Sequence, residues 1–213
     1  MSKWTRVTRP LAAVALCGAV LASLQGCVEM AVGTAVMGTL AASDRRTFGA
    51  QTEDKTIVFK GETRVSNLVG SAGHVNVNSF NRRVLLTGEV RDEAMKGAVE
   101  REVNAIEGVL SVINELEVMG VSSFTSRSND SLITGKVKAS FVDAKDLYAN
   151  SIKVVTERGV VYLMGRVTQR EGNLAAQIAS TVSGVHKVVK VFEYISEEEF
   201  TRLTRTPEEQ NKK

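Results

Sequence analysis

Thiols are missing from most of this sequence. Its two cysteines, Cys17 and Cys27, both fall within the first 27 of 213 residues, so the remainder can form no disulfide and no cysteine-ligated metal site. A body without free thiols suits an oxidising compartment. Long apolar runs are missing too. Leu11–Leu24 is 14 residues, and Val28–Ala42 is 15 with Glu29 inside it, whereas a spanning helix needs roughly 20. Aromatic residues are only 5% of the chain and prolines number two. The two histidines, His74 and His186, have no second ligand at metal spacing and read as surface or turn residues. The phosphate-cradling glycine patterns, G-x-G-x-x-G and the P-loop, do not occur. Pairs such as Asp92/Glu93 and Glu100/Glu102 fall at helix starts or on exposed faces, and nothing couples them to a nucleophile or base. The expectation is no enzyme, no cofactor, no metal and no small-molecule substrate.

What is present begins at the N-terminus. Lys3, Arg6 and Arg9 precede the apolar stretch, and Leu24-Gln25-Gly26-Cys27 closes it. This layout is that of a secretory signal peptide, and its last four residues resemble the lipobox of bacterial lipoproteins. The resemblance implies cleavage after Gly26 and lipidation of Cys27. By the lipoprotein sorting rule, Val28 in place of an aspartate implies the outer membrane. The leader also accounts for the formal charge of +3: without its three cations, 24 basic residues face 24 acidic ones. With no concentrated basic surface, nucleic acid is not an expected partner.

Beyond a small-residue tether at 27–53, the chain repeats itself. Val84-Leu85-Leu86-Thr87-Gly88-Glu89-Val90 is echoed by Val161-Tyr162-Leu163-Met164-Gly165-Arg166-Val167. A helix start follows each: Asp92 as cap in the first copy, and the capping-box pattern Thr168-x-x-Glu171 in the second. Met95, Val99, Val103 and Ile106 mark one helical face, and Leu174, Ile178 and Val182 the other. Both helices are expected to end at glycine, Gly108 and Gly184, before strands Val109–Val118 and Val185–Ile195. Gly88 and Gly165 read as turn or helix-cap positions. Upstream, Asp54–Leu68 and Ser131–Val142, the latter capped by Asn129 or Asp130, read as helices, with strands from Val75 and over Ile152–Thr156. Asn81-Arg82 and Arg158-Gly159 are hairpin turns. The fold class is α+β, an α-β-β-α-β unit occurring twice, each a three-stranded sheet with two helices on one face. The units span 54–119 and 129–196, joined by a polar serine linker at 120–128. A short helix from a Ser196 cap and a frayed tail complete 197–213.

Gly88-x-Val90, Gly108-Val109, Gly165-x-Val167 and Gly184-Val185, with Lys153-Val154-x-Thr156-Glu157 and Val182-Ser183-Gly184-Val185, make the chain similar to tandem BON-domain lipoproteins. The resemblance covers roughly residues 20–196. It implies a non-enzymatic envelope protein on the inner face of the outer membrane, enriched at the division site. It also implies contact with an anionic phospholipid membrane through the first helix of the second unit. On that helix the lipid-binding candidates are Leu132, Ile133, Lys136, Lys138 and Phe141, although Ile133, Val137 and Phe141 read more readily as core than as membrane contacts. Where a relative carries tryptophan, this chain has Leu132, which lacks the amphipathic ring that suits headgroup depth. Charge agrees: 9 basic against 6 acidic residues over Ser128–Ser196, 8 against 10 over Asp54–Met119. The alternative is an adaptor for an envelope protein partner.

Overall fold

Alternation along the strands determines how the two units meet. The computed structural model describes residues 44–204; the leader at 1–26, Cys27, the tether up to residue 43 and the tail at 205–213 lie outside them. In the first unit, helix α1 (Phe48–Val69) and a short 3-10 turn lead into strands β1 (His74–Phe80) and β2 (Arg83–Val90), helix α2 (Glu93–Asn104) and strand β3 (Ser111–Val118). The second unit repeats this order with α3 (Phe124–Asp143), β4 (Ile152–Glu157), β5 (Val160–Val167), α4 (Gln169–Ser180) and β6 (Lys187–Tyr194), followed by α5 (Glu197–Thr204). In each sheet the first two strands form an antiparallel hairpin, and the third lies parallel to the middle strand. Parallel pairing needs a crossover, which α2 and α4 supply.

Middle strands β2 and β5 are buried on both faces. Val84 and Leu86 join the core under α1 and α2, and Val161 and Leu163 the core under α3 and α4. The alternate residues Leu85, Tyr162 and Met164 join Phe80 and Val191 in a third cluster between the sheets. The two sheets therefore lie back to back with a helical layer outside each. Full burial of such side chains contributes about 1.5–3 kcal/mol apiece, so the units share a core. The polar contacts around it are pairwise equivalent. Asn81, in the first hairpin turn, donates to Glu193 of β6 at 2.7 Å; Arg158, in the second, lies 3.6 Å from Glu117 of β3.

Several helix boundaries depart from the sequence reading. Helix α1 starts six residues before Asp54, capped by Thr47, whose hydroxyl accepts from Ala50 N. Residues 44–53, assigned to the tether, thus belong to the fold. Helices α2 and α4 stop at Asn104 and Ser180, four residues short of Gly108 and Gly184. Those glycines instead take φ of 90° and 97° in the turn to the next strand, a left-handed geometry that favours glycine. Gly88 and Gly165 answer close approach: a Cβ would collide with the carbonyl oxygens of His74 and Ser151 respectively. The buried face of α4 centres on Ala175 and Ala179, with Leu174 and Ile178 half-buried beside them. The Asp92 cap and both halves of the Thr168–Glu171 capping box are present.

Candidate functional site

Helix α3 is the element on which the binding residues were expected, and it is longer than expected. Its cap is Ser123, whose Oγ accepts from Ser126 N at 3.2 Å, not Asn129 or Asp130. The supposed linker at 120–128 therefore contributes the first turn and Phe124. Asp130 is buried within the helix and accepts from the backbone amides of Arg158 and Gly159 at 2.9 and 2.8 Å. Asp54 of α1 does the same for Asn81 and Arg82, at 2.8 and 2.7 Å, and also accepts from Ser79 Oγ. Both turns need this help. Asn81, Arg82, Arg158 and Gly159 all have positive φ, as a tight primed hairpin turn demands, and an arginine pays a steric penalty there.

The periodicity of α3 divides its surface. Asp130, Ile133, Val137 and Phe141 form the buried stripe. Ile133 and Phe141 are each 1% exposed, so these two expected lipid contacts are core residues: they recur at three- and four-residue spacing beneath the helix. Phe124, Leu132 and Val142 lie on the other side, 78%, 65% and 72% exposed. Phe124 and Val142 are eighteen residues, five helical turns, apart and share one line along the helix; Leu132 is about 80° around from it. Lys136 and Lys138 are exposed on flanking lines. Phe124 escaped the sequence reading because the helix was started at Ser131, and Val142, its expected last residue, was not singled out; Ser123, a cap directly before an aromatic, was the available signal for Phe124.

Beside the C-terminal half of α3, Lys138 and Val142 border a cavity of about 320 Å³ floored by Phe141 and Ile152. Phe141 thus lines this cavity from within the core. A second, polar cavity of about 240 Å³ lies where the units meet, with His74, Arg127 and Glu157 among its walls. Burial, and then the adjacent Arg127, hold the His74 imidazole below its usual pKa, Glu89 acting the other way. Burial, with Glu89 and Asp130 close by, raises the Glu157 carboxyl, against the hydrogen bond it accepts from Asn76. His186 is exposed. Among the described residues no three His, Cys, Asp or Glu side chains gather as a metal site, and no helix is long and apolar enough to cross a membrane.

The second unit also holds the segment that precedes α1. Arg45 is buried, its guanidinium donating to both Glu171 oxygens at 2.6 and 2.8 Å and to the Arg166 carbonyl at 2.8 Å. It lies over the rings of Tyr148 and Phe200, 5.3 and 4.7 Å from their centroids. Burial opposes ionisation of Glu171, but the Arg45 and Thr168 hydrogen bonds outweigh it and lower the pKa.

The family described as BON domain matches residues 52–120 and 129–196. The chain belongs to the BON-domain family. Its two BON domains are the two back-to-back units, and α3 opens the second. The chain is 43% identical over 175 residues to the "Outer membrane lipoprotein DolP" of Haemophilus influenzae, covering 81% of this chain and 90% of that protein. It is 32% identical over 161 residues to the "21 kDa hemolysin" of Actinobacillus pleuropneumoniae, covering 71% and 79%. A third relative, the "Osmotically-inducible protein Y" of Escherichia coli, is 30% identical over 117 residues, covering 54% and 58%.

Proposed function

We propose that this protein binds anionic phospholipid through the exposed face of α3 and so helps maintain the envelope, including at the division site. The chain is a lipid-anchored outer membrane lipoprotein: the lipobox at 24–27 and the 43% identity to a protein of that description support this. The body faces the periplasm. The observation that carries the binding role is the double-sided α3. Its core stripe is complete without Phe124, Leu132 and Val142, which leaves three apolar side chains in water on one helix with lysines beside them. Such a helix lies in an interface with its apolar face at the acyl boundary and its cations among anionic headgroups. Burial of Ile133 and Phe141 passes their expected role to Phe124 and Val142.

The test is co-flotation of the full chain bearing Cys27→Ser with phosphatidylglycerol or phosphatidylcholine vesicles. Selective recovery with the anionic vesicles is expected, lost in Phe124→Glu/Leu132→Glu. Equal recovery on both, unchanged by the substitutions, sinks the reading.

A second reading, a protein-interaction adaptor, is favoured by α1. Phe48 and Phe59 are both exposed, eleven residues and about three turns apart on one line. Because the sheets are back to back, this face is on the far side of the body from α3. A photo-crosslinker at Phe59 that captured one stoichiometric envelope protein in cells would support the adaptor.

A further inference from the structure

The loop after α3, the first turn of α4 and helix α5 enclose a cavity of about 250 Å³, bordered by Lys145, Asp146, Tyr148, Arg170 and Phe200. Lys145 and Arg170 are exposed, and neither forms an ion pair among the described residues. This sets them apart from neighbouring arginines: Arg166 is held by Glu193 and Glu199, and Arg45 by Glu171. Asp146 is the single acid in the lining. Tyr148 and Phe200 meet edge to face, centroids 5.8 Å apart, with Arg45 against both rings. The floor is thus rigid while the two cations at the rim are free. Arg170 also sits in the first turn of α4, where backbone amides favour negative charge.

We propose that this cavity is a phosphate-diester site that takes the headgroup of an anionic lipid, with Lys145 and Arg170 as its ligands. The proposal rests on the lipid-facing reading of the second BON domain and adds a headgroup site apart from the α3 face. The path of the chain identifies lipid as the source. Arg45 is eighteen positions after Cys27, and it docks against the same two rings that line the cavity, so the tether enters the folded body here. Of the body's surfaces, this one is separated from the acylated residue by the shortest length of chain. Lys145 follows α3 by two residues, so apolar insertion by Val142 and charge capture by Lys145 fall at one end of one helical layer. A guanidinium and an ammonium across a cavity of this size match one phosphate, the guanidinium by its paired donors and the ammonium as a point charge.

The test uses the full chain with Cys27→Ser, comparing unaltered sites, Lys145→Ala/Arg170→Ala, Phe124→Ser/Leu132→Ser and, as a charge control, Lys187→Ala/Lys190→Ala. Binding to phosphatidylglycerol vesicles is titrated, and side-chain NMR signals of Tyr148 and Phe200 are followed against phosphatidylglycerol bicelles and inorganic phosphate. Loss of about tenfold or more in vesicle affinity is expected for Lys145→Ala/Arg170→Ala, since two interfacial cations are removed. The control should bind as the parent, and the ring signals should move with the anionic bicelles but not with millimolar inorganic phosphate. Unchanged affinity in Lys145→Ala/Arg170→Ala, with loss in Phe124→Ser/Leu132→Ser, overturns the headgroup site and leaves the α3 reading standing. Unchanged affinity in both overturns both. An equal loss in the control reduces the site to general charge, and a matching response to inorganic phosphate makes it a free-anion site.

Discussion

Asp54 and Asp130 occupy equivalent places in the two BON domains, each buried in the first helix and each holding the amides of its own hairpin turn. Their surroundings differ. Asp54 also takes Ser79 Oγ and pairs with Arg46 at 2.8 Å, and Arg46 in turn lies 4.1 Å over the Phe80 ring. Asp130 has no ion pair among the described residues. The outer surfaces differ as well. Helix α1 exposes two phenylalanines on a domain with an acidic balance, whereas α3 exposes apolar residues among lysines. The buried devices that set the fold are common to both copies, and the exposed side chains are where the copies have taken separate tasks.

The sharpest way to break this equivalence is to remove each aspartate. Asp54→Ala leaves three donors without their acceptor and Arg46 with Asp44 as its remaining partner, and should cost about 4 kcal/mol; Asp130→Ala, with two amides orphaned, about 3 kcal/mol. Urea unfolding measures both. Equal losses would mean that neither the Arg46 pair nor the Ser79 hydrogen bond adds to what the two amides contribute.

Arg45→Ala should cost about 3 kcal/mol, because it strands a buried carboxylate. Its pH signature is distinct. Glu171 has a lowered pKa in the folded chain, so its stabilising contribution is present above the ordinary glutamate pKa and is lost as pH falls through the lower folded value. Unfolding free energies between pH 6 and 3 should therefore fall less steeply in Arg45→Ala than in the parent.

How much of this was legible beforehand follows from which side chains signal locally. The repeated strand-Gly-x-Val pattern and the Asp92 and Thr168 caps could be read because the bonds they make lie within a few residues. The start of α3 could not: Ser122 to Asp130 offers several capping residues, and Asp130 serves a turn 28 positions away. The stacking of the sheets was signalled in part. An apolar run such as Val84-Leu85-Leu86 cannot leave one strand face to water, although nothing in it names the partner surface. Of the lipid-facing candidates, Leu132, Lys136 and Lys138 are exposed, while Ile133 and Phe141 were drawn from the stripe that faces inward.

The inter-sheet face supplies a smaller effect of opposite sign. Lys153 of β4, equivalent to Asn76 of β1, reaches only the Ser79 carbonyl, at 3.4 Å, among the described residues. Burial, and then Arg46, push its pKa down to about 8, against the pull of Asp54. Between about 8 and the free-lysine value the unfolded chain binds more protons, so stability rises with pH across that window, and below it the whole penalty is present. Lys153→Met should accordingly stabilise the chain by about 2 kcal/mol at pH 7, the gain shrinking towards pH 10. Paired urea titrations at pH 7 and 10 check this, and an equal gain at both would assign it to packing alone.

The smallest stability effect is expected where the domains differ most in use. Phe48→Ser/Phe59→Ser removes two rings that cover nothing in the body, so unfolding should move by less than about 0.5 kcal/mol. Because this face is directed away from α3, affinity for phosphatidylglycerol vesicles should also stay level, while Phe124→Ser/Leu132→Ser lowers it. If the α1 variant lost vesicle affinity as fully as the α3 variant, the two faces would be serving one surface. The back-to-back arrangement allows that only if the protein bridges two membranes or separates its domains on binding.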